Sequence, residues 1–78
     1  MEQKVLAVLN EEFPWIDFES SNALWDDKIL DSVTLIGIIE TLNSEFDIVI
    51  TYVDIIEDNF NSIAGMARLV SRLLEEKK

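Results

Sequence analysis

The chain has 78 residues, enough for one small domain and too few for two. Sixteen acidic residues against six basic ones give a net charge of −10, which repels nucleic acid phosphates and anionic lipid headgroups, so we expect neither a nucleic-acid partner nor insertion into a membrane. Cysteine and histidine are absent, and with them the usual thiol nucleophile, the usual general base and the commonest zinc ligands, so we expect neither an enzyme nor a metal site.

The first predicted element is a helix over residues 2–12, in which Val5, Val8 and Leu9 recur at helical spacing. Pro14 ends it, because the residue before a proline is disfavoured in helical geometry. Charged residues interrupt the first ten positions, so we expect no signal peptide, and no stretch approaches the ~20 apolar residues of a membrane-spanning helix. A cytoplasmic protein is therefore expected.

A long loop is predicted next, over residues 14–31. It contains three aromatic residues, Trp15, Phe18 and Trp25, which are too many for a solvated linker. We expect them to hold the loop against the helices. Structured loops of this length in a small domain are often functional.

A second helix is predicted from about Ser32 to Glu45, with Asp31 or Ser32 capping its start. Five apolar residues at helical spacing form its expected core-facing stripe: Leu35, Ile38, Ile39, Leu42 and Phe46.

Another face of this helix follows Ser32 and holds Val33, Ile36, Gly37 and Glu40. Two large apolar residues are more than a solvated face requires. Gly37 costs about 1 kcal/mol relative to Ala inside a helix. Either close packing against a neighbouring helix or close approach by a partner explains it.

The rest of the chain is also predicted to be helical. Thr51 and Asp54 have the spacing of a capping box and predict one or two turns over residues 51–58. Asn61 is expected to cap a last helix over residues 62–75.

The predicted fold class is therefore all-α. Three long helices, one short third helix and a long first loop make a small four-helix bundle, because apolar stripes on helices are buried against one another. We expect a single domain over residues 1–78 and a monomer.

Ser32 is the main candidate for chemistry. It cannot act alone as a catalytic nucleophile, because a serine hydroxyl needs an adjacent base and the chain has no histidine. It can still be the substrate of another enzyme, and a helix N-terminus would stabilise a phosphodiester through its free N–H groups and its dipole. The alternative is that Ser32 only caps the helix.

Two stretches of the chain together resemble the acyl carrier protein family. The first is Asp31-Ser32, opening an apolar helix that ends Leu42-x-x-x-Phe46-Asp47, and the second is Asn59-Phe60-Asn61-Ser62-Ile63 at the start of the last helix. The similarity extends over the whole chain in length and in helix order.

This resemblance implies that a phosphopantetheinyl transferase attaches 4′-phosphopantetheine from coenzyme A to Ser32, with Asp31 as the motif residue beside it. The thiol of that arm then carries an acyl or aminoacyl group between a loading ligase and downstream transferases or synthases. The absent cysteine and histidine fit this role, because the thiol arrives with the cofactor and the partner enzymes supply the bases. The resemblance also implies that the Ser32 side of the second helix docks partner proteins through Val33, Ile36, Gly37 and Glu40. Asp54 and Glu57 are further expected docking residues.

The same region departs from carriers of fatty acid synthesis, which typically show Leu-Gly-x-Asp-Ser-Leu. Here Ile29-Leu30 precedes Asp31-Ser32 and Val33 follows, and the second helix carries only Glu40 and Glu45 as acidic residues. The stretch from Leu24 to Ser32 is more similar to D-alanyl carriers and to carriers of peptide or specialised metabolism. The alternative function is an acidic helical interaction module in which Ser32 is only a cap.

Overall fold

The computed structural model describes residues 1–20 and 22–77. Four α-helices follow one another in these residues: α1 (Glu2–Glu12), α2 (Ser32–Phe46), α3 (Glu57–Phe60) and α4 (Ile63–Glu76), with a 3₁₀ turn at Tyr52–Asp54 before α3. No strand occurs in the described residues, so the predicted all-helical class is confirmed for this part of the chain. None of the helices described is both long enough and apolar enough to span a membrane.

The three long helices surround one core. Val5 and Leu9 enter it from α1, and Ile38 and Leu42 from α2. From α4 come five residues: Ile63, Met66, Ala67, Leu69 and Val70. Three members of the predicted α2 stripe, Leu35, Ile39 and Phe46, are partly buried against this core.

Two of the three loop aromatics hold the first connection against the helices, as expected. Phe18 is buried, and the Trp25 ring lies 6.4 Å from the Phe60 ring. The prediction was wrong for Trp15, which is 72% exposed. Trp15 contacts the end of α1 instead, with its ring edge-on to Phe13 at 5.6 Å.

The start of α4 corrects the predicted cap. Ser62 is the N-cap residue, and its hydroxyl accepts a hydrogen bond from Gly65 N at 3.0 Å. Asn61 instead holds the first loop, because its Oδ1 accepts from the backbone N–H groups of Trp25 (2.9 Å) and Asp26 (3.0 Å). Its carbonyl also accepts from Leu24 N at 2.9 Å. These bonds fix the loop that leads into α2.

Candidate functional site

The start of α2 places Ser32 as the first helical residue, next to its cap. Asp31 is extended, and its Oδ1 accepts a hydrogen bond from Thr34 N at 2.8 Å. Its carbonyl accepts from Leu35 N, the first hydrogen bond of the helix. Hydrogen bonds from the backbone and then the side chain of Thr34 lower the pKa of Asp31, so it is a carboxylate at neutral pH.

Because Asp31 supplies the cap, the Ser32 side chain is not used for that purpose. Ser32 is exposed, and its hydroxyl has no hydrogen-bond partner in the described part of the chain. Ser32 N and Val33 N lie in the first turn, where N–H groups have no intrahelical acceptor. An exposed hydroxyl therefore stands at the positive end of a 15-residue helix, a setting that suits a phosphate group on its oxygen.

Three of the expected docking residues on α2 face solvent. Val33 is 80% exposed, Ile36 is 57% exposed, and Glu40 is also exposed. The apolar surface of Val33 and Ile36 stays in contact with water, which is unfavourable, and no other part of the described chain covers it. These two residues are therefore available to a partner protein.

Gly37 differs from these three residues. It is half-buried, and a Cβ at this position would lie 3.1 Å from Phe13 Cζ. Of the two explanations left open by the sequence, the structure provides the first, close packing within the molecule, because the missing side chain makes room for the Phe13 ring.

The prediction that Asp54 is a docking residue was wrong, because its side chain is buried and holds the structure together. Only 6% of it is exposed, and its Oδ1 accepts from Arg72 at 2.6 Å while Oδ2 accepts from Thr51 N at 3.2 Å. Burial alone would raise the pKa of Asp54, but the Arg72 hydrogen bond, the Thr51 N–H and the Arg72 charge together lower it. The pair ties the 3₁₀ turn to α4.

Glu57 is exposed, but its neighbours belong to the first loop. Asn61 Nδ2 donates to Glu57 Oε1 at 3.4 Å and to Asp26 Oδ2 at 3.3 Å, so one amide bridges two carboxylates. Hydrogen bonding to Asp26, and then the charge of Asp26, raises the pKa of Glu57. The structure therefore gives Glu57 a role at the contact between the loop and α3.

Sequence reasoning missed a second set of exposed apolar side chains, just before α3. Tyr52 is 85% exposed, and Val53 and Ile56 are also exposed. The signal was present, because four of the five residues from 52 to 56 are apolar, and only Asp54 and Ile55 of these five turn inward. Interpreting residues 51–58 only as helical turns concealed that pattern.

The acidic side chains do not form a metal centre in the part of the chain that is described. No three of them there gather in an arrangement able to hold a metal ion. Comparison with protein-family models, curated proteins and solved structures found no match to this chain. The functional argument therefore rests on the residues at the start of α2 and on their surroundings.

Proposed function

We propose that this chain is a stand-alone carrier protein, with Ser32 as the attachment point for 4′-phosphopantetheine. The observation that carries the proposal is that two adjacent residues at the start of α2 have different roles. Asp31 caps the helix, and the Ser32 hydroxyl beside it is exposed and unused. When bound, the phosphopantetheine group supplies a thiol that holds an acyl or aminoacyl group as a thioester.

The residues of this chain hold the attachment point rather than perform the reaction. Transfer forms a bond between Ser32 Oγ and phosphorus, breaks the pyrophosphate bond of coenzyme A and releases adenosine 3′,5′-bisphosphate. A phosphopantetheinyl transferase takes the hydroxyl proton, because this chain has no histidine to do so. The free N–H groups of the first α2 turn would stabilise the negative charge of the phosphodiester attached there.

The exposed face of α2 supports recognition by partner enzymes. Val33 and Ile36 offer an apolar contact close to Ser32, and Glu40 offers a charge one turn further on. A net charge of −10 speeds encounter with basic surfaces on other proteins. We expect a monomer in the cytoplasm that meets a loading ligase and then a transferase or synthase.

The cargo that fits best is an aminoacyl group or an acyl group of specialised metabolism. Glu40 and Glu45 are the only acidic residues of α2, and the stretch from Leu24 to Ser32 resembles D-alanyl carriers. A role in fatty acid synthesis would call for a more acidic α2.

An acidic interaction module remains the second candidate. The exposed Tyr52, Val53 and Ile56 favour it, because such side chains suit a binding surface whether or not Ser32 is modified. Modification of Ser32 is the property that separates the two functions.

The test is incubation with coenzyme A and a broad-specificity phosphopantetheinyl transferase, followed by intact mass measurement. We expect the wild type to gain one phosphopantetheine group. Ser32→Ala should gain none, and Ser44→Ala should gain one, because Ser44 is also an exposed serine of α2 but lies away from the helix start. A folded wild-type protein that gains no mass would leave the interaction module as the better assignment.

A further inference from the structure

Asn61 uses all its polar groups at the contact between the first loop and α3. Its Oδ1 accepts from Trp25 N at 2.9 Å and from Asp26 N at 3.0 Å, and its carbonyl accepts from Leu24 N at 2.9 Å. Its Nδ2 donates to the carboxylates of Asp26 and Glu57, and its own N–H donates to the Glu57 carbonyl. One residue therefore fixes three consecutive residues of the loop against α3.

The same part of the loop is bonded onward to the start of α2. Leu24 is fully buried, and its carbonyl accepts from Ile29 N at 3.0 Å and from Leu30 N at 3.2 Å. Leu30 is buried as well, and the residue that follows it is Asp31, the cap of α2. Hydrogen bonds and buried side chains thus connect Asn61 to the cap.

The cap of α2 depends on the backbone that leads into it. Asp31 is exposed, so few tertiary contacts hold its side chain in place. Its extended backbone brings its Oδ1 and its carbonyl to Thr34 N and Leu35 N, each at 2.8 Å. Serine is nearly as good an N-cap as aspartate. A loosened loop would therefore also allow conformations in which Ser32 caps the helix and its hydroxyl is not free.

We propose that Asn61 is a positioning residue for phosphopantetheine transfer: it holds the loop, and through the loop the Asp31 cap, so that Ser32 is presented in one conformation. This inference rests on the carrier function proposed above. A transferase acts only on the competent conformation. The apparent KM for the carrier therefore rises as that conformation becomes less populated, while kcat stays nearly unchanged.

Hydrogen exchange of the unmodified protein tests the positioning without a transferase. The N–H groups of Thr34 and Leu35 monitor the cap, because both donate to Asp31. In Asn61→Ala they should exchange about tenfold faster than in the wild type, since two N–H groups of the loop lose their acceptor and the loop opens more often.

Asn59→Ala is the matched control. Asn59 is also a half-buried asparagine near the end of α3, and its Nδ2 donates to the Asp54 carbonyl at 2.8 Å. Its side chain makes no hydrogen bond to the first loop within the described residues. Asn59→Ala should lose stability as Asn61→Ala does, but exchange at Thr34 and Leu35 should stay at the wild-type rate, because these groups exchange by local opening.

Transfer kinetics then connect the positioning to Ser32. With coenzyme A and a broad-specificity phosphopantetheinyl transferase, Asn61→Ala should raise the KM for the carrier about three- to tenfold and leave kcat nearly unchanged. Asn59→Ala should have wild-type kinetics. All measurements are made well below the melting temperature of the least stable variant, so that each protein is folded.

Asn61→Asp gives a pH profile that a general loss of stability does not. The new carboxylate keeps an acceptor for the loop N–H groups, but it replaces the Nδ2 donor and faces the carboxylates of Asp26 and Glu57, with Asp58 nearby. Like charges favour its protonated form, which donates again. Its KM relative to the wild type should therefore be raised at pH 8 and should approach one as pH falls towards 5.

The outcomes separate the positioning role from the carrier function. A wild-type exchange rate at Thr34 and Leu35 in Asn61→Ala, or an equal increase in Asn59→Ala, would overturn the positioning role and leave the carrier function standing. A KM for Asn61→Ala equal to that of the wild type would do the same. A folded wild type that gains no phosphopantetheine would overturn the carrier function, and with it any role of Asn61 in transfer.

Discussion

Two helix starts in this chain differ in what surrounds them. At the start of α2, Ser32 and Val33 are exposed, whereas Ile63 and Gly65 at the start of α4 are buried. Both starts have a side-chain cap, so capping is not what separates them. The difference lies in tertiary contacts: α3 and the first loop close over the start of α4 and leave the start of α2 open. A helix start left open in this way offers its N–H groups to a ligand.

The largest expected effect is the difference in stability between truncating a buried and an exposed side chain of α2. Ile38→Ala should lose about 2–5 kcal/mol of unfolding free energy, because Ile38 is fully buried and truncation leaves a cavity. Ile36→Ala should leave the melting temperature nearly unchanged, because Ile36 already faces solvent. Urea unfolding of both variants measures the contrast. A comparable loss in Ile36→Ala would place that residue inside the molecule and remove it from the docking face.

Replacing the two glycines by alanine should also have unequal effects on stability, with the larger loss at Gly65. A Cβ on Gly65 would lie 2.6 Å from the backbone oxygen of Asp58, so α3 would have to move, and overpacking of this kind costs about 1–3 kcal/mol. At Gly37 the nearest atoms belong to the Phe13 side chain, which can turn aside. The higher helix propensity of alanine, about 1 kcal/mol, then offsets that adjustment.

Thermal melts of Gly65→Ala and Gly37→Ala test this contrast directly. We expect a clearly lower melting temperature for Gly65→Ala and little change for Gly37→Ala. Equal melting temperatures would mean that α3 is not held tightly against α4.

A smaller effect is expected at the ion pair between the buried Asp54 and the half-exposed Arg72. Asp54→Asn should lose about 1–2 kcal/mol at pH 7, because the Arg72 hydrogen bond is weakened while its surroundings stay in place. The pKa of Asp54 is below its ordinary 3.8, so its ionised form stabilises the fold above that pH. This contribution is lost as pH falls through the folded-state pKa. The stability difference between wild type and variant should therefore shrink below about pH 4.

Glu57→Gln is the control, because it should change the stability at pH 7 in the opposite direction to Asp54→Asn. The pKa of Glu57 is raised above 4.5 by Asp26, so the charged form of Glu57 weakens the fold at neutral pH. The variant should melt slightly higher than the wild type at pH 7, and this advantage should disappear as pH falls through the folded-state pKa. A pH profile in which both variants move in the same direction would contradict the assigned contacts.

Local sequence patterns were sufficient where the structure depends on neighbours along the chain. Apolar spacing and Pro14 predicted α1, and the core-facing stripe of α2 holds Ile38 and Leu42 as expected. The Thr51–Asp54 capping box is also present. Each of these features is set within one or two helical turns, so a pattern of residue types contains the necessary information.

The failures share a different cause, which is a partner distant in sequence. Asn61 resembled a cap, but its oxygen bonds backbone N–H groups 35 and 36 residues away. Asp54 resembled an exposed docking residue, but Arg72 lies 18 residues further along and draws it inside. Spacing alone cannot reveal such pairs. Whether the Ser32 hydroxyl is free depends instead on a local choice, namely which of two neighbouring residues caps α2, and the sequence left that choice open.

Peptide mapping of the transferase-treated protein tests the central claim most directly. Cleavage after lysine and arginine gives a peptide of residues 29–68, which contains Ser32, Ser44 and Ser62 and therefore compares an open helix start with a closed one. Fragment ions should place phosphopantetheine on Ser32 alone, with Ser62 unmodified because its hydroxyl accepts from Gly65 N inside the fold. Phosphopantetheine on Ser62 or Ser44, or a folded protein without any, would contradict the assignment.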